Sequence, residues 1–182
     1  MPGLTGLIDL IDLIDLTEQA IDASPAPATG ATQVTSDWPA PGHLLFRSPV
    51  CPCENARTDG PACPCGLGDD YESCCGRLHA GAHAPTAESL MRSRYSAFAL
   101  GDAGYLLRTW HPSGRPRTLS LDPALQWTRL AVPNTRDGGL FDTTGTVQFR
   151  AMYVRQGKRG VLAETSRFVR YGRHWTYLGP IG

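Results

Sequence analysis

The chain has 182 residues, 41% of them apolar, and its 17 basic and 17 acidic side chains cancel to a net charge of zero. That length suits one domain with appendages. No apolar run approaches the roughly 20 residues of a membrane-crossing helix, so no span and no membrane partner are predicted. The zero conceals a polarity along the chain. Residues 1–47 carry −5, residues 48–89 carry −4, and residues 90–182, with fourteen bases against five acids, carry +9. An acidic leading half thus precedes a basic domain that could attract anions or simply receive the acidic segment.

Residues 1–50 read as a disordered acidic tail. Ile-Asp-Leu recurs three times from Ile8 to Leu16, a period of three that neither strand nor helix sustains. A run rich in Ala, Pro, Thr and Ser follows, a composition that favours disorder. The first basic residue is Arg47, so no secretory signal is expected.

Residues 51–84 form a cysteine module. Cys63-Pro-Cys65 and Cys74-Cys75 place four thiols within thirteen residues. Four thiolates close a tetrahedral structural Zn2+ site, with Zn–S about 2.3 Å. Gly66 and Gly68 let the chain turn between the pairs. Two disulfides are the alternative; they require an oxidising compartment, to which nothing points. Adjacent cysteines also bond to each other only with strain. The expected metal ligands are therefore Cys63, Cys65, Cys74 and Cys75, in a cytoplasmic protein. Cys51-Pro-Cys53 repeats the first triplet, so Cys51, Cys53, Cys63 and Cys65 form a rival set. His79 and His83 are candidate substitute ligands, read instead as exposed loop histidines.

Thr86 is a good helix N-cap with Glu88 in the first turn, and a helix is predicted to about Leu100. Its apolar face carries Leu90, Met91, Tyr95 and Phe98, and Arg94 lies on that same face. Gly101-Asp102 breaks it, and a shorter helix covers Ala103 to Trp110. Strand signals then take over. Gln126–Val132 is a candidate, and Gly145–Arg155 alternates with Val147, Phe149, Ala151 and Tyr153 on one side. Gly157-Lys-Arg-Gly160 is read as the turn of a hairpin whose second strand is Val161–Tyr171. Gly172-Arg173 turns into a last strand, Trp175–Leu178. Helices followed by an antiparallel meander define an α+β fold.

Cys63 to Gly76, opening C-P-C-G-x-G and closing C-C-G, resembles the SEC-C motif, a zinc-binding element also found at the end of the SecA translocation ATPase. Further stretches extend the likeness: Leu90-Met-Arg-Ser-Arg-Tyr-Ser-Ala-Phe98, Tyr105-Leu-Leu-Arg-Thr-Trp-His-Pro-Ser113, Glu164-Thr-Ser-Arg-Phe168 and His174-Trp-Thr-Tyr177. Together they are similar to the YchJ-like family, uncharacterised bacterial proteins that join this motif to a domain like nuclear transport factor 2. The resemblance covers residues 61 to 181. It implies a nuclear transport factor 2-like curved antiparallel sheet wrapped on N-terminal helices over residues 85–182, with a conical cavity. It names no reaction. The usual motif is basic after its second glycine; here stand Asp69, Asp70 and Glu72, which weakens any SecA-like docking.

An arginine on an apolar helix face needs its charge paired and hydrogen-bonded. In the implied fold, Glu164 lines the same concave face and is the expected partner of Arg94. Leu162, Glu164, Ser166 and Phe168 alternate inward on that strand. Tyr95, Trp110 and His111 complete a candidate polar end of the cavity. Arg94, Tyr95, Trp110, His111 and Glu164 are thus candidate ligand-binding residues; a buried salt bridge fixing helix to sheet is the structural alternative. No nucleophile elbow, phosphate-binding loop, dinucleotide fingerprint or H-E-x-x-H occurs. The expected function is that of a zinc-binding accessory protein, with the zinc module as a structural or recognition element and the basic domain as a platform for a protein partner or a small anionic ligand. The alternatives are a small-molecule enzyme built on Arg94, His111 and Glu164, and a ribosome- or nucleic-acid-associated factor.

Overall fold

The computed structural model describes residues 60–181. The expectations for residues 1–50, and for Cys51 and Cys53, lie outside the described residues. A π-helical turn, Glu72–Gly76, runs into the single-turn helix α1, Arg77–His79. Helices α2, Ala87–Leu100, and α3, Ala103–Arg108, follow, and then strands β1, Leu125–Asp137, β2, Thr144–Arg155, β3, Lys158–Tyr171, and β4, His174–Pro180. The strands form one antiparallel sheet in the order β1-β2-β3-β4. The fold is α+β, with the curved sheet wrapped on the helices.

Helix α2 starts where its cap is. Thr86 is extended, and its Oγ1 accepts the Ser89 amide at 3.1 Å. Asp102 caps α3 in the same way, accepting the Tyr105 amide at 2.8 Å. Helix α3 stops at Arg108, short of the expected Trp110. The Thr109 hydroxyl turns back onto the Tyr105 carbonyl, and the chain then pairs with β4, where the His111 amide donates to the Tyr177 carbonyl at 2.7 Å.

Two strand expectations are corrected. Strand β1 continues five residues beyond Val132, through Pro133, because the sheet absorbs the proline at an irregularity between Ala131 and Asn134 on its edge strand. The β2–β3 turn is not Gly157–Gly160. Arg155 pairs directly with Lys158, leaving Gln156 and Gly157 as a two-residue loop, both at positive φ (50° and 77°). Gly160 lies inside β3, opposite Tyr153.

The core lies between α2 and the concave face of the sheet. Val147, Phe149, Ala151 and Tyr153 alternate inward from β2 as expected, joined by Leu162 and Phe168 from β3. Burying a side chain such as Phe168 contributes about 1.5–3 kcal/mol. Gly138, after β1, sits against the start of α2: its carbonyl accepts the Ala87 amide at 2.9 Å, and its φ is +82°. A Cβ there would stand 2.6 Å from the Ala87 Cβ. Gly138→Ala is therefore expected to cost about 2–4 kcal/mol, combining the left-handed backbone penalty with overpacking. A urea midpoint unchanged from that of the unsubstituted protein would contradict it.

Candidate metal centre and ligand cavity

Two features bring the four sulfurs together. A small hairpin pairs Ala62 with Asp70 and bonds the Cys63 amide to the Asp69 carbonyl at 2.9 Å, so Cys63 and Cys65 lie on a knuckle. The π-helical turn then presents two adjacent cysteines. In a regular α-helix they would diverge by about 100°. Here Cys74 leaves the helical region (φ −101°, ψ −106°), and its sulfur lies 4.0 Å from that of Cys75. All four sulfurs lie within 4.8 Å of one another, with Cys65 and Cys74 at 3.5 Å. A tetrahedron of thiolates at 2.3 Å from a metal has edges of about 3.8 Å. The cluster therefore has nearly the dimensions of a closed four-sulfur metal site.

Charge leads to the same conclusion. Hydrogen bonding from Cys75, followed by the Leu67 backbone and the other two thiols, holds the Cys65 thiol down at about 5 against its burial. Its hydrogen bond with Cys65, then desolvation, pushes Cys75 far up. Four thiolates in this space require a cation, and the donor set fits a thiophilic metal. No disulfide joins these cysteines.

The module is fixed to α2 by polar contacts. Fully buried Ser96 places its Oγ 3.7 Å from the Cys63 sulfur. Arg92 donates to the Cys65 carbonyl at 3.3 Å while pairing with Glu88 at 2.7 Å. His79 is neither a ligand nor an exposed loop residue: its Nε2 donates to the Ser93 carbonyl at 2.9 Å, which leaves Nδ1 to accept the Tyr71 hydroxyl at 2.8 Å. His83 does lie exposed, stacked on His174 at 3.8 Å. Among the described residues no ion pair joins Asp69, Asp70 or Glu72 to the basic domain. Carbonyl acceptors, not opposite charge, dock the module. Ser96 had no signal in the sequence, since a serine on a helix reveals its neighbour only after folding.

A cavity of about 150 Å³ opens between α2 and the sheet. Tyr95, Phe98, Trp127 and Phe149 form its aromatic walls, and Met91 also lines it. Arg94, Trp110, Glu164, Ser166 and Tyr177 form a connected polar group on its lining. Arg94 and Glu164 do not form the expected ion pair. The Tyr177 ring takes the place between them: the guanidinium lies 4.5 Å from its centroid, and its hydroxyl donates to Glu164 Oε1 at 3.1 Å. Ser166 donates to the same oxygen. His111 does not reach the cavity. Its ring is held by Ser113, at 2.6 Å, and packs edge-on to Tyr171.

Arg94 is 3% exposed. Its Nη1 donates to the Leu106 carbonyl at 2.8 Å and to Thr109 Oγ1 at 2.7 Å, and Trp110 lies 5.3 Å from the guanidinium carbon. Nε and Nη2 donate to no described residue. No fully buried side-chain nitrogen or oxygen among the described residues lacks a partner. Those two nitrogens are therefore not fully buried, and Arg94 lines the cavity. Desolvation lowers the Arg94 pKa to about 10, with Tyr177, Tyr105 and Glu164 opposing the shift, so the group remains a cation at neutral pH.

Comparison with known proteins places this architecture. Residues 86–180 match the family model described as YchJ, middle NTF2-like domain. A UPF0225 protein of Streptomyces coelicolor is 58% identical over 118 residues, 64% of this chain and 92% of that protein. One from Corynebacterium efficiens is 51% identical over 121 residues, 65% of this chain and 92% of that protein. Two solved SEC-C motif containing proteins share the fold. The one from Rhodopseudomonas palustris has a TM-score of 0.58 at 30% identity, covering 67% of this chain and 98% of its own. The one from Psychrobacter arcticus has a TM-score of 0.55 at 27% identity, covering 65% and 81%.

If Arg94 were a structural ion pair, removing the cation would cost about 3–5 kcal/mol. The geometry predicts otherwise for Arg94→Met. Glu164 keeps both of its donors, and the Leu106 carbonyl keeps Thr109 at 3.3 Å. Stability should change by less than about 1 kcal/mol. Denaturant unfolding of the variant decides between the two.

Proposed function

Since this chain belongs to the YchJ-like family, also called UPF0225, we propose that it is a zinc-stapled ligand-binding protein. One Zn2+ held by Cys63, Cys65, Cys74 and Cys75 fixes the small module to α2, and the cavity on the other side of α2 receives a small molecule. The observation that carries this reading is Arg94: a buried cation with two nitrogens unused by the described residues, turned to an apolar cavity. A residue serving only to fix helix to sheet would have its donors satisfied by protein. Binding rather than turnover is the reading: the Ser166 hydroxyl is hydrogen-bonded to the Glu164 carboxylate on the lining, but the same carboxylate oxygen also holds the Tyr177 hydroxyl, and no histidine among the described residues lines the cavity. His111, which the enzyme alternative required, is held by Ser113 outside it.

The zinc is read as structural. Three of the four cysteines are buried, and the sulfurs lie against Ser96. Four thiolate ligands require a reducing compartment, in keeping with a cytoplasmic protein. Among the described residues no helix is long and apolar enough to cross a membrane.

Metal analysis of the reduced protein should find one zinc per chain, and Cys65→Ser should abolish it. Ser96→Ala should retain the stoichiometry while lowering affinity on the order of 10-fold, through loss of a hydrogen bond to a ligand. Full occupancy in Cys65→Ser would reject this ligand set. The cavity has a built-in reporter. Of the chain's three methionines, Met91 lines it, whereas Met152 does not. Single-ring probes with and without a polar head (toluene, phenol, benzamide) should shift the Met91 methyl resonance saturably and leave that of Met152 in place. No shift with any of them at millimolar concentration would remove the cavity as a binding site.

A further inference from the structure

The cavity also specifies the head group of its occupant, an inference that rests on reading it as a binding site. Arg94 and Glu164 both line it, yet no ion pair joins them within contact distance; the side chain of Tyr177 stands between. Each retains unused hydrogen-bonding capacity of opposite kind. Arg94 offers Nε–H and Nη2–H. Glu164 has committed Oε1 to Ser166 and Tyr177, and Oε2 accepts from no described residue. The remaining walls are apolar, with Tyr95, Phe98, Trp127 and Phe149 aromatic, and a volume of about 150 Å³ suits a single ring.

A carboxylate head would be drawn to Arg94 and repelled by Glu164. A cationic head would meet the opposite pair of forces. In either case the two charges largely offset, and the ligand's own desolvation cost remains. A neutral head that accepts at one end and donates at the other avoids that cost. It also satisfies both protein groups, whose unmet capacity penalises any ligand lacking the match. We infer that the cavity binds a small, flat, apolar molecule bearing an uncharged donor–acceptor head, of which a primary carboxamide is the simplest form, with its acceptor on Arg94 and its donor on Glu164.

Four probes of one shape test this on the full-length, zinc-loaded chain: benzamide, benzoate, benzamidinium and toluene, titrated against the Met91 methyl resonance. Benzamide should bind at least 10-fold tighter than each of the others. Arg94→Met, which leaves Glu164 alone, should move the preference to benzamidinium. Glu164→Gln, which leaves Arg94 alone, should move it to benzoate. Circular dichroism and zinc content establish that each variant is folded. Tightest binding by benzoate, benzamidinium or toluene to the unsubstituted protein overturns the inference and leaves the cavity as a binding site. So does a preference that neither substitution moves. If no probe shifts Met91, the inference and the reading beneath it both fall.

Discussion

The middle of helix α2, from Leu90 to Ala97, is enclosed on nearly every side, and the rest of the structure answers what that burial demands. Between Leu90 and Ala97 only Arg92 keeps substantial contact with solvent. Three of the enclosed residues are polar, and each unsatisfied group would cost about 1–3 kcal/mol. Ser93 meets the Tyr105 hydroxyl of α3 at 2.6 Å. Ser96 meets the sulfur cluster. Arg94 meets the Leu106 carbonyl of α3 and two aromatic faces, and still has donors to spare. The helix is thus enclosed by α3, the sulfur cluster and the cavity, and polar residues of its own meet each of them.

The same enclosure explains what could and could not be read from the amino-acid order. Local signals were legible. Thr86 caps the helix it precedes, Gly101-Asp102 ends it, β2 alternates as its residues suggest, and the C-P-C and C-C pairs meet. Arg94 was marked by its place among apolar neighbours. Its partner was not, because charge complementarity points to Glu164, whereas folding puts an aromatic ring between them. Tyr177 offers both a π-face for the cation and a hydroxyl for the carboxylate, and no spacing rule encodes that double use. His79 was misplaced for a similar reason: both ring nitrogens find partners only once α1 packs on α2. The hairpin turn was obscured because Gln156 adopts a positive φ that only its glycine neighbour advertises. Proline ended the predicted strand at Val132, although an edge strand with an irregularity accommodates it.

The module itself is too small to be held by burial. Between Gly60 and His83 the enclosed cluster consists of cysteines with Tyr71 against them, a poor core by any area measure. A metal at the sulfurs would supply the missing cohesion, as it does in other domains of this size. The acidic residues around Tyr71 then take no part in docking, and the positive domain keeps its charge for the solvent side of the sheet. There Arg129, Arg136, Arg150, Arg159 and Arg167 are exposed.

Arg94, Tyr95 and Ser96 are consecutive. Successive helical residues project about 100° apart, so Arg94 faces the cavity and Ser96 faces the sulfurs from nearly opposite sides of one rigid rod. Neither can be repositioned without the other, since a roll of α2 that draws Ser96 toward a metal swings the guanidinium as well. With a metal and a ligand both bound, any free energy that one contributed to the other's binding through α2 would be returned in equal measure. The helix would then act as the beam of a balance between the two sites.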